Sequence, residues 1–542
     1  MISLAAKKET RDRMSVLLIS PQPNLDILGL KGLHLLLLER GYDSTLLYLP
    51  RLMEEDGWRT RLSAFVKERN PHFIGISLMA YDFDAARAIT DAIKKCHPAI
   101  PIVWGGIHPT TSPEACAEYA DYACVGEAEQ TILDMAQAAK EGRSFDDINN
   151  LCFIRGGVFN RNPLYPLVED LDTLPIGCQM PDRTFVLARG RIEPIDKGHL
   201  KRYRRYRGAL YKLLTSRGCP HNCTYCCNHF LRQLYGRWPV RHRSVEHVMA
   251  ELEAAVVEGP PVEYIDISDD CFLANDTDRL ALFCEQYKKR IGKPFIVKGT
   301  ARYFTREKMD LLSDAGLGWV NMGLQSGSQR ICHEIYDRRI TSEEFLEAAR
   351  LIARYPVAAY YDLLVDNPYE TLEDYLQTAD VLSRIPKPYF TPIFSLILFE
   401  GTKLRKRALR EIPDQVEDPR GRDYLVRTRN PAIGLLEMAS LLPGGVMRRI
   451  ARAYGANPAS RWVRIVMMAA SVVCRIILAP IANLRVIRRS QHGSIRETLR
   501  VLPIFFDHAI WHYLYYFTPF KRRTRQDVQG LRSERGSAKR AG

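Results

Sequence analysis

The residues in this chain of 542 best placed to do chemistry are three cysteines, Cys219, Cys223 and Cys226, in the stretch LLTSRGCPHNCTYCCNHF. Three and then two residues separate them, a spacing that random placement of 13 cysteines would give about 0.01 times. Thiolates so spaced hold a metal. A structural zinc site wants four closed ligands, and Cys227, His221 or His229 could supply the fourth. A 4Fe-4S cubane held by three cysteines leaves one iron open to a bidentate ligand. Zinc ligands usually come as two separated pairs, whereas this loop is one compact triad, so the cluster is the stronger expectation. Cys227 reads as a small buried residue beside the triad.

Such a loop needs a rigid element behind it. From Lys212 the sequence alternates strand candidates (KLLTS, VEYIDIS, PFIVKGT, GWVNMGLQ, AAYYDLLV, PIFSLIL) with helix-like stretches such as SVEHVMAELEAAVVEG and TREKMDLLSDAG. Six repeats are too few for a closed eight-stranded barrel, so residues 211–404 are expected to form a partial (βα)6 TIM-like barrel with chemistry at the C-terminal strand ends. The cysteines follow the first of those strands. Upstream, residues 14–150 hold five β-like runs separated by helices, from SVLLIS to YACVG, which predicts a doubly wound parallel, flavodoxin-like sheet. Ligands of such sheets sit beyond the carboxyl strand ends, here the turns after Ser20, Ser77, Gly105 and Gly126. The class is therefore α/β. Residues 151–210 read as a turn-rich connector, in which the run KRYRRYRG is a solvated face. Residues 405–542 read as a mostly helical, basic region.

The formal charge of +14 is unevenly placed: residues 401–542 carry 28 Lys and Arg against 10 Asp and Glu, and the first 400 carry a slight acidic excess. With no positive surplus on the folded core, nucleic acid is not an expected partner. The scattered cysteines and the charged N-terminus, MISLAAKKETRDR, fit a reducing, cytoplasmic location without a secretory signal.

The cysteine loop resembles that of the radical S-adenosylmethionine (SAM) superfamily. That resemblance implies that the open iron binds the cosubstrate's amino and carboxylate groups, that Tyr225, just before the third cysteine, lies near the adenine, and that a 5'-deoxyadenosyl radical abstracts hydrogen from an unactivated carbon. It also implies an external electron donor such as flavodoxin or ferredoxin. Further segments are similar to the family's: Asp269 and Asp270 in EYIDISDDCF, Arg302 in GTARYF, Gln325 and Ser326 in MGLQSGS, and Gly401 and Thr402 in LILFEGTKL. Asp269, Asp270, Arg302, Gln325 and Ser326 are expected near the cosubstrate, and Gly401 and Thr402 mark the end of the sixth strand. YYDLLVDNPYET departs from the family's turn at Asp366, Asn367 and Tyr369.

The first domain resembles the cobalamin-binding module that precedes the radical domain in one class of these enzymes, through Ser77 in GISLM, Gly105 and Gly106 in WGGIHPT, and Gly126 and Glu127 in VGEAE. Gln22 stands where a cobalt-ligating histidine would fall, so that ligation is not expected; His108 reads as a turn residue. The combination implies a cobalamin-dependent radical C-methyltransferase, with a radical cyclase or other carbon-skeleton oxidoreductase as the alternative and a non-catalytic metal-binding scaffold as the reading from a different class. The apolar stretch Val463–Leu484 is long enough to span a bilayer, but Arg464, Arg475 and Pro480 interrupt it. A helix on a membrane surface or a core helix fits better, with contact across 463–520. The substrate class is accordingly a small molecule or a lipid.

Overall fold

A computed structural model describes residues 14–422, 430–474 and 478–490. The apolar runs of the first half become β1 (Ser15–Ser20), β2 (Asp43–Tyr48), β3 (Phe73–Ser77), β4 (Ile102–Gly105) and β5 (Tyr122–Cys124), all parallel, with β1 between β2 and β3. Leu17 and Ile19 point into one apolar core and Val16 and Leu18 into the other. A strand covered on both faces has to be apolar throughout, which is why SVLLIS shows no alternation.

The stretch 151–210 is more than a connector. Its short runs form β6 (Leu151–Arg155), β7 (Val158–Arg161), β8 (Thr184–Ala188) and β9 (Arg191–Pro194), giving a nine-stranded sheet in the order β7-β6-β5-β4-β3-β1-β2-β8-β9. Each outer pair is an antiparallel hairpin turning at glycine, and the hairpins flank the parallel strands. Strands of four or five residues broken by Gly156-Gly157 and Gly190 carry too little periodicity to be told from turns.

The second half contains β10 (Leu210–Leu213), a short ribbon of β11 (Ser216–Arg217) and β12 (Arg241–His242), and then β13 (Tyr264–Ile267), β14 (Phe295–Gly299), β15 (Leu317–Gln325), β16 (Ala358–Val365) and β17 (Ile393–Ser395). Six of these, β10 and β13 to β17, form the expected parallel partial barrel in sequential order. Tyr211, Ile265, Val297, Val320 and Tyr361 pack outward beneath the helices. The alternating positions Lys212, Asp266, Lys298, Asn321 and Asp362 are only half-buried and line the lumen.

Helix α1 (Cys227–Tyr235) follows the cysteines, and α2 (Pro431–Leu441), α3 (Gly444–Ala456), α4 (Arg461–Val473) and α5 (Ala479–Ser490) follow the barrel. Of the apolar stretch Val463–Leu484, residues 463–473 lie in α4 and residues 479–484 in α5, and among the described residues no helix is long and apolar enough to cross a membrane. Val486 and Ile487 of α5 pack with Leu210, Tyr264, Trp319, Ala358 and Tyr360, closing the N-terminal mouth of the barrel. Ile487→Ala is therefore expected to destabilise the barrel by about 2–5 kcal/mol, read as a lowered melting temperature. The aromatic cluster Phe505–Phe520 and the run KRRTR lie outside the described residues.

Candidate active site

The β11–β12 ribbon pinches off the loop that carries the cysteines, pairing Ser216 with His242 and Arg217 with Arg241. Gly218 leaves this neck with φ +106°, and a Cβ there would lie 2.2 Å from the Pro239 carbonyl oxygen, so only glycine fits. The loop is held by its backbone rather than by its thiols. Thr224 donates from N to the Tyr336 carbonyl and from Oγ1 to the Ile335 carbonyl, and accepts from Leu404 N. Cys226 N donates to the Cys223 carbonyl at 3.1 Å, and Arg232 donates to the Cys219 carbonyl at 2.9 Å.

Burial pushes the Cys219 thiol up to about 12 and raises Cys223 as well. Cys226 differs: a hydrogen bond with Cys227 outweighs burial and brings it down to about 7. Asn228 Nδ2 lies 3.7 Å from Cys226 Sγ, and Asn228 Oδ1 accepts from Trp238 Nε1 at 2.8 Å, which fixes the amide's orientation. Among the described residues no three His, Cys, Asp or Glu side chains close on one point as a single ion would need. A cubane takes one thiolate per iron, so three soft donors spread over one loop fit it.

Beside the loop lies Arg338, a buried guanidinium that sequence reading missed; it donates to the Gly323 carbonyl at 2.6 Å and faces Tyr225 and Cys223. Its surroundings, IYDRRITSEE, contain no motif that would mark one arginine out. Tyr225 packs edge-on against Tyr336 with centroids 4.7 Å apart. Nearby, Tyr336 and Asn367 are buried against each other and Glu370 lies against Tyr375, and burial pushes Glu370 up to about 8. A buried polar group of this kind next to Tyr225 offers hydrogen-bonding atoms that a polar cosubstrate would meet. Asp270 opens to the lumen, where desolvation raises its carboxyl against an Asn228 hydrogen bond and the Lys298 charge.

Several expected contacts are already committed elsewhere. Asp269 is fully buried and accepts from Thr215 N, Thr215 Oγ1 and Ser216 Oγ, so it braces the cysteine loop and is no cosubstrate ligand. Arg302 is exposed and turns outward to the Arg339 carbonyl and Glu344. Ser326 is buried against Thr378 and accepts from Ser328 N. Gln325, at φ +68°, sits against Gly323 at the strand end and keeps its place beside the lumen.

At the N-terminal sheet, Ser77, Gly105 and Gly106 remain accessible at the strand ends, and Gly106 at φ +101° would bring a Cβ within 2.9 Å of the Leu78 carbonyl oxygen. His108 Nε2 and Glu400 Oε2 are buried, mutually close and without hydrogen-bond partners. These open strand ends and orphaned atoms suit a large polar cofactor, and Gln22, half-buried after β1, offers no imidazole to cobalt. Gly126 and Glu127 serve another purpose. A Cβ on Gly126 would fall 1.9 Å from Tyr235 Oη, which accepts from Glu127 N at 2.9 Å. Glu127 accepts from Arg241 at 2.7 and 2.9 Å and pairs with Arg217 at 3.2 Å. The two residues clamp the sheet onto the neck of the cysteine loop.

The sequence matches the radical SAM superfamily over residues 213–382 and the B12-binding domain over residues 14–136. The chain is a radical SAM enzyme with an N-terminal cobalamin-binding domain. It is 24% identical over 361 residues to an uncharacterized methyltransferase of Pyrococcus horikoshii, covering 66% of this chain and 73% of that one. It is also 24% identical to the anaerobic magnesium-protoporphyrin IX monomethyl ester cyclase of Synechocystis sp., covering 69% and 72%. Two solved structures share the architecture. The radical SAM methyltransferase TsrM from Kitasatospora setae has a TM-score of 0.59 at 20% identity, over 73% of this chain and 76% of that one. The cobalamin-dependent radical SAM enzyme OxsB has a TM-score of 0.62 at 18% identity, over 93% and 82%.

Proposed function

We propose that this enzyme methylates an unactivated carbon of a small molecule held in the barrel lumen. The observation that carries the reading is the joint at Glu127, which turns the strand-end face of the cobalamin-binding domain toward the strand-end face of the barrel. Bound there, the cluster and SAM supply a carbon-centred radical, and cobalamin supplies a methyl group. The residues that would hold the cluster are Cys219, Cys223 and Cys226; Tyr225, Asp270 and Gln325 border the cosubstrate, and Ser77, Gly105 and Gly106 border the cobalamin. A one-electron donor such as flavodoxin or ferredoxin completes the system. All thirteen cysteines are free, which suits the reducing cytoplasm. A lipid remains within the substrate class, and contact with the membrane is read as peripheral.

Anaerobic turnover of the reconstituted enzyme tests the reading. S-Adenosylhomocysteine formed alongside 5'-deoxyadenosine is the expected result. Deoxyadenosine without S-adenosylhomocysteine would turn the assignment to the cyclase alternative.

The lumen supplies a positioning group. Burial pushes the Asp362 carboxyl up to about 6, opposed by an Asn321 hydrogen bond and by the Lys298 and Arg338 charges; its Oδ1 has no hydrogen-bond partner. If that oxygen receives a substrate N–H or O–H, Asp362→Asn should lower kcat/KM by about 10- to 100-fold while cluster absorbance stays intact. The carboxylate is the accepting form, so wild-type kcat/KM should rise as pH passes upward through about 6, and this step should vanish in the variant.

A further inference from the structure

Helix α4 is apolar on two faces but packs with only one. Val463, Met467, Ala470 and Cys474 meet the barrel core. Trp462, Ile465, Val466 and Val473 are 76, 47, 61 and 52% exposed, and at about 100° per residue they fall in one outward stripe. Helix α5 repeats the arrangement: Val486 and Ile487 plug the barrel, while Ile481 and Leu484 face outward with Arg485 and Arg488. Helix α3 adds exposed Arg448, Arg449 and Arg452. From Leu441 to Ser490 there are nine arginines and no Asp or Glu.

We propose that this surface docks the enzyme on an anionic lipid bilayer. A protein partner is ordinarily met by charges of both signs, whereas a segment with arginines, exposed aliphatic side chains, one tryptophan and no carboxylate of its own matches a phosphate headgroup layer over hydrocarbon. The apolar outer stripe enters the headgroup boundary, and the arginines engage phosphate while their stems lie along it. The helices cannot leave the protein to span, because their other faces are built into the barrel. This deepens the peripheral contact read above and rests on it, but not on the methyl-transfer assignment, so the product assay and the docking assay fail independently.

The test is anaerobic co-sedimentation of the full-length holoenzyme with vesicles of phosphatidylcholine alone and of phosphatidylcholine mixed with phosphatidylglycerol. Binding is expected to the anionic vesicles, to weaken with added salt, and to be slight on the neutral ones. Trp462→Ser combined with Val466→Ser, and separately Arg448→Gln combined with Arg452→Gln, should each weaken binding about tenfold with the melting temperature and substrate-free SAM cleavage unchanged. Absence of vesicle binding, or binding by both variants as tight as that of the wild type, overturns the proposal. So does a dimer that the substitutions dissolve, which would make a second copy the occupant, or binding that appears only after removal of residues 491–542, which would make that segment the cover.

Discussion

Replacing Cys223 with alanine is expected to leave a folded chain that takes up no 4Fe-4S cluster, with the broad iron-sulfur absorbance and 5'-deoxyadenosine formation both at background after anaerobic reconstitution. The fold should survive because Thr224 ties the loop to the Tyr336 and Ile335 carbonyls and to Leu404 N without help from any thiol. The cluster should not, because the loop offers three thiolates and a site-differentiated cubane needs all three. Burial raises the Cys223 thiol, so ligation has to deprotonate it as well as bind it, and no hydroxyl or methyl group substitutes. Cys227→Ala provides the contrast. Cys227 bonds to Cys226 and is held well above its ordinary value, first by that hydrogen bond and then by burial; its loss should leave the absorbance in place. Unchanged cluster content in the Cys223 variant would remove the enzyme reading.

The elements readable in the sequence were those whose burial is complete on both faces or regular on one. SVLLIS and FIGIS are continuous because both sides of the sheet are covered, and AAYYDLLV shows its lumen-facing Asp362 at an alternate position. Residues 151–194 were illegible because β6 to β9 are short and glycine-bounded. At the site, the cysteines were legible because their spacing in the chain is their spacing in the loop. Asp269 was misplaced for the opposite reason. Position at a strand end is shared by residues that face a ligand and residues that brace a neighbour, and only the contacts with Thr215 and Ser216 separate the two. Arg338 approaches Tyr225 from more than a hundred residues away, a proximity created by the barrel closing and marked by nothing local.

The same distinction governs Glu127, where the second large effect is expected. Arg217 and Arg241 are direct partners across the β11–β12 ribbon, and like charges directly opposite on paired strands repel. Glu127, its side chain 11% exposed, enters from the other domain and pairs with both. Arg217 has a second carboxylate partner in Glu129 at 2.7 Å, whereas Arg241, 4% exposed, has beyond Glu127 the Val168 carbonyl and the Trp238 ring but, among the described residues, no second carboxylate. Glu127→Gln should therefore strand Arg241 and cost about 3 kcal/mol in denaturant unfolding. Because Glu127 joins the cobalamin-binding domain to the barrel, S-adenosylhomocysteine should fall more than 5'-deoxyadenosine. Burial raises the Glu127 carboxyl, but the Arg241 hydrogen bond and the two arginine charges outweigh it and hold it below the ordinary glutamate value. A carboxyl depressed in the folded state contributes stability that is fully present above its unfolded value and is lost as pH falls through its folded one. The stability gap between wild type and variant should therefore be full at neutral pH and close only in acid below the usual carboxylate range; a gap that stayed constant on acidification would mean that Glu127 acts through shape and not through charge.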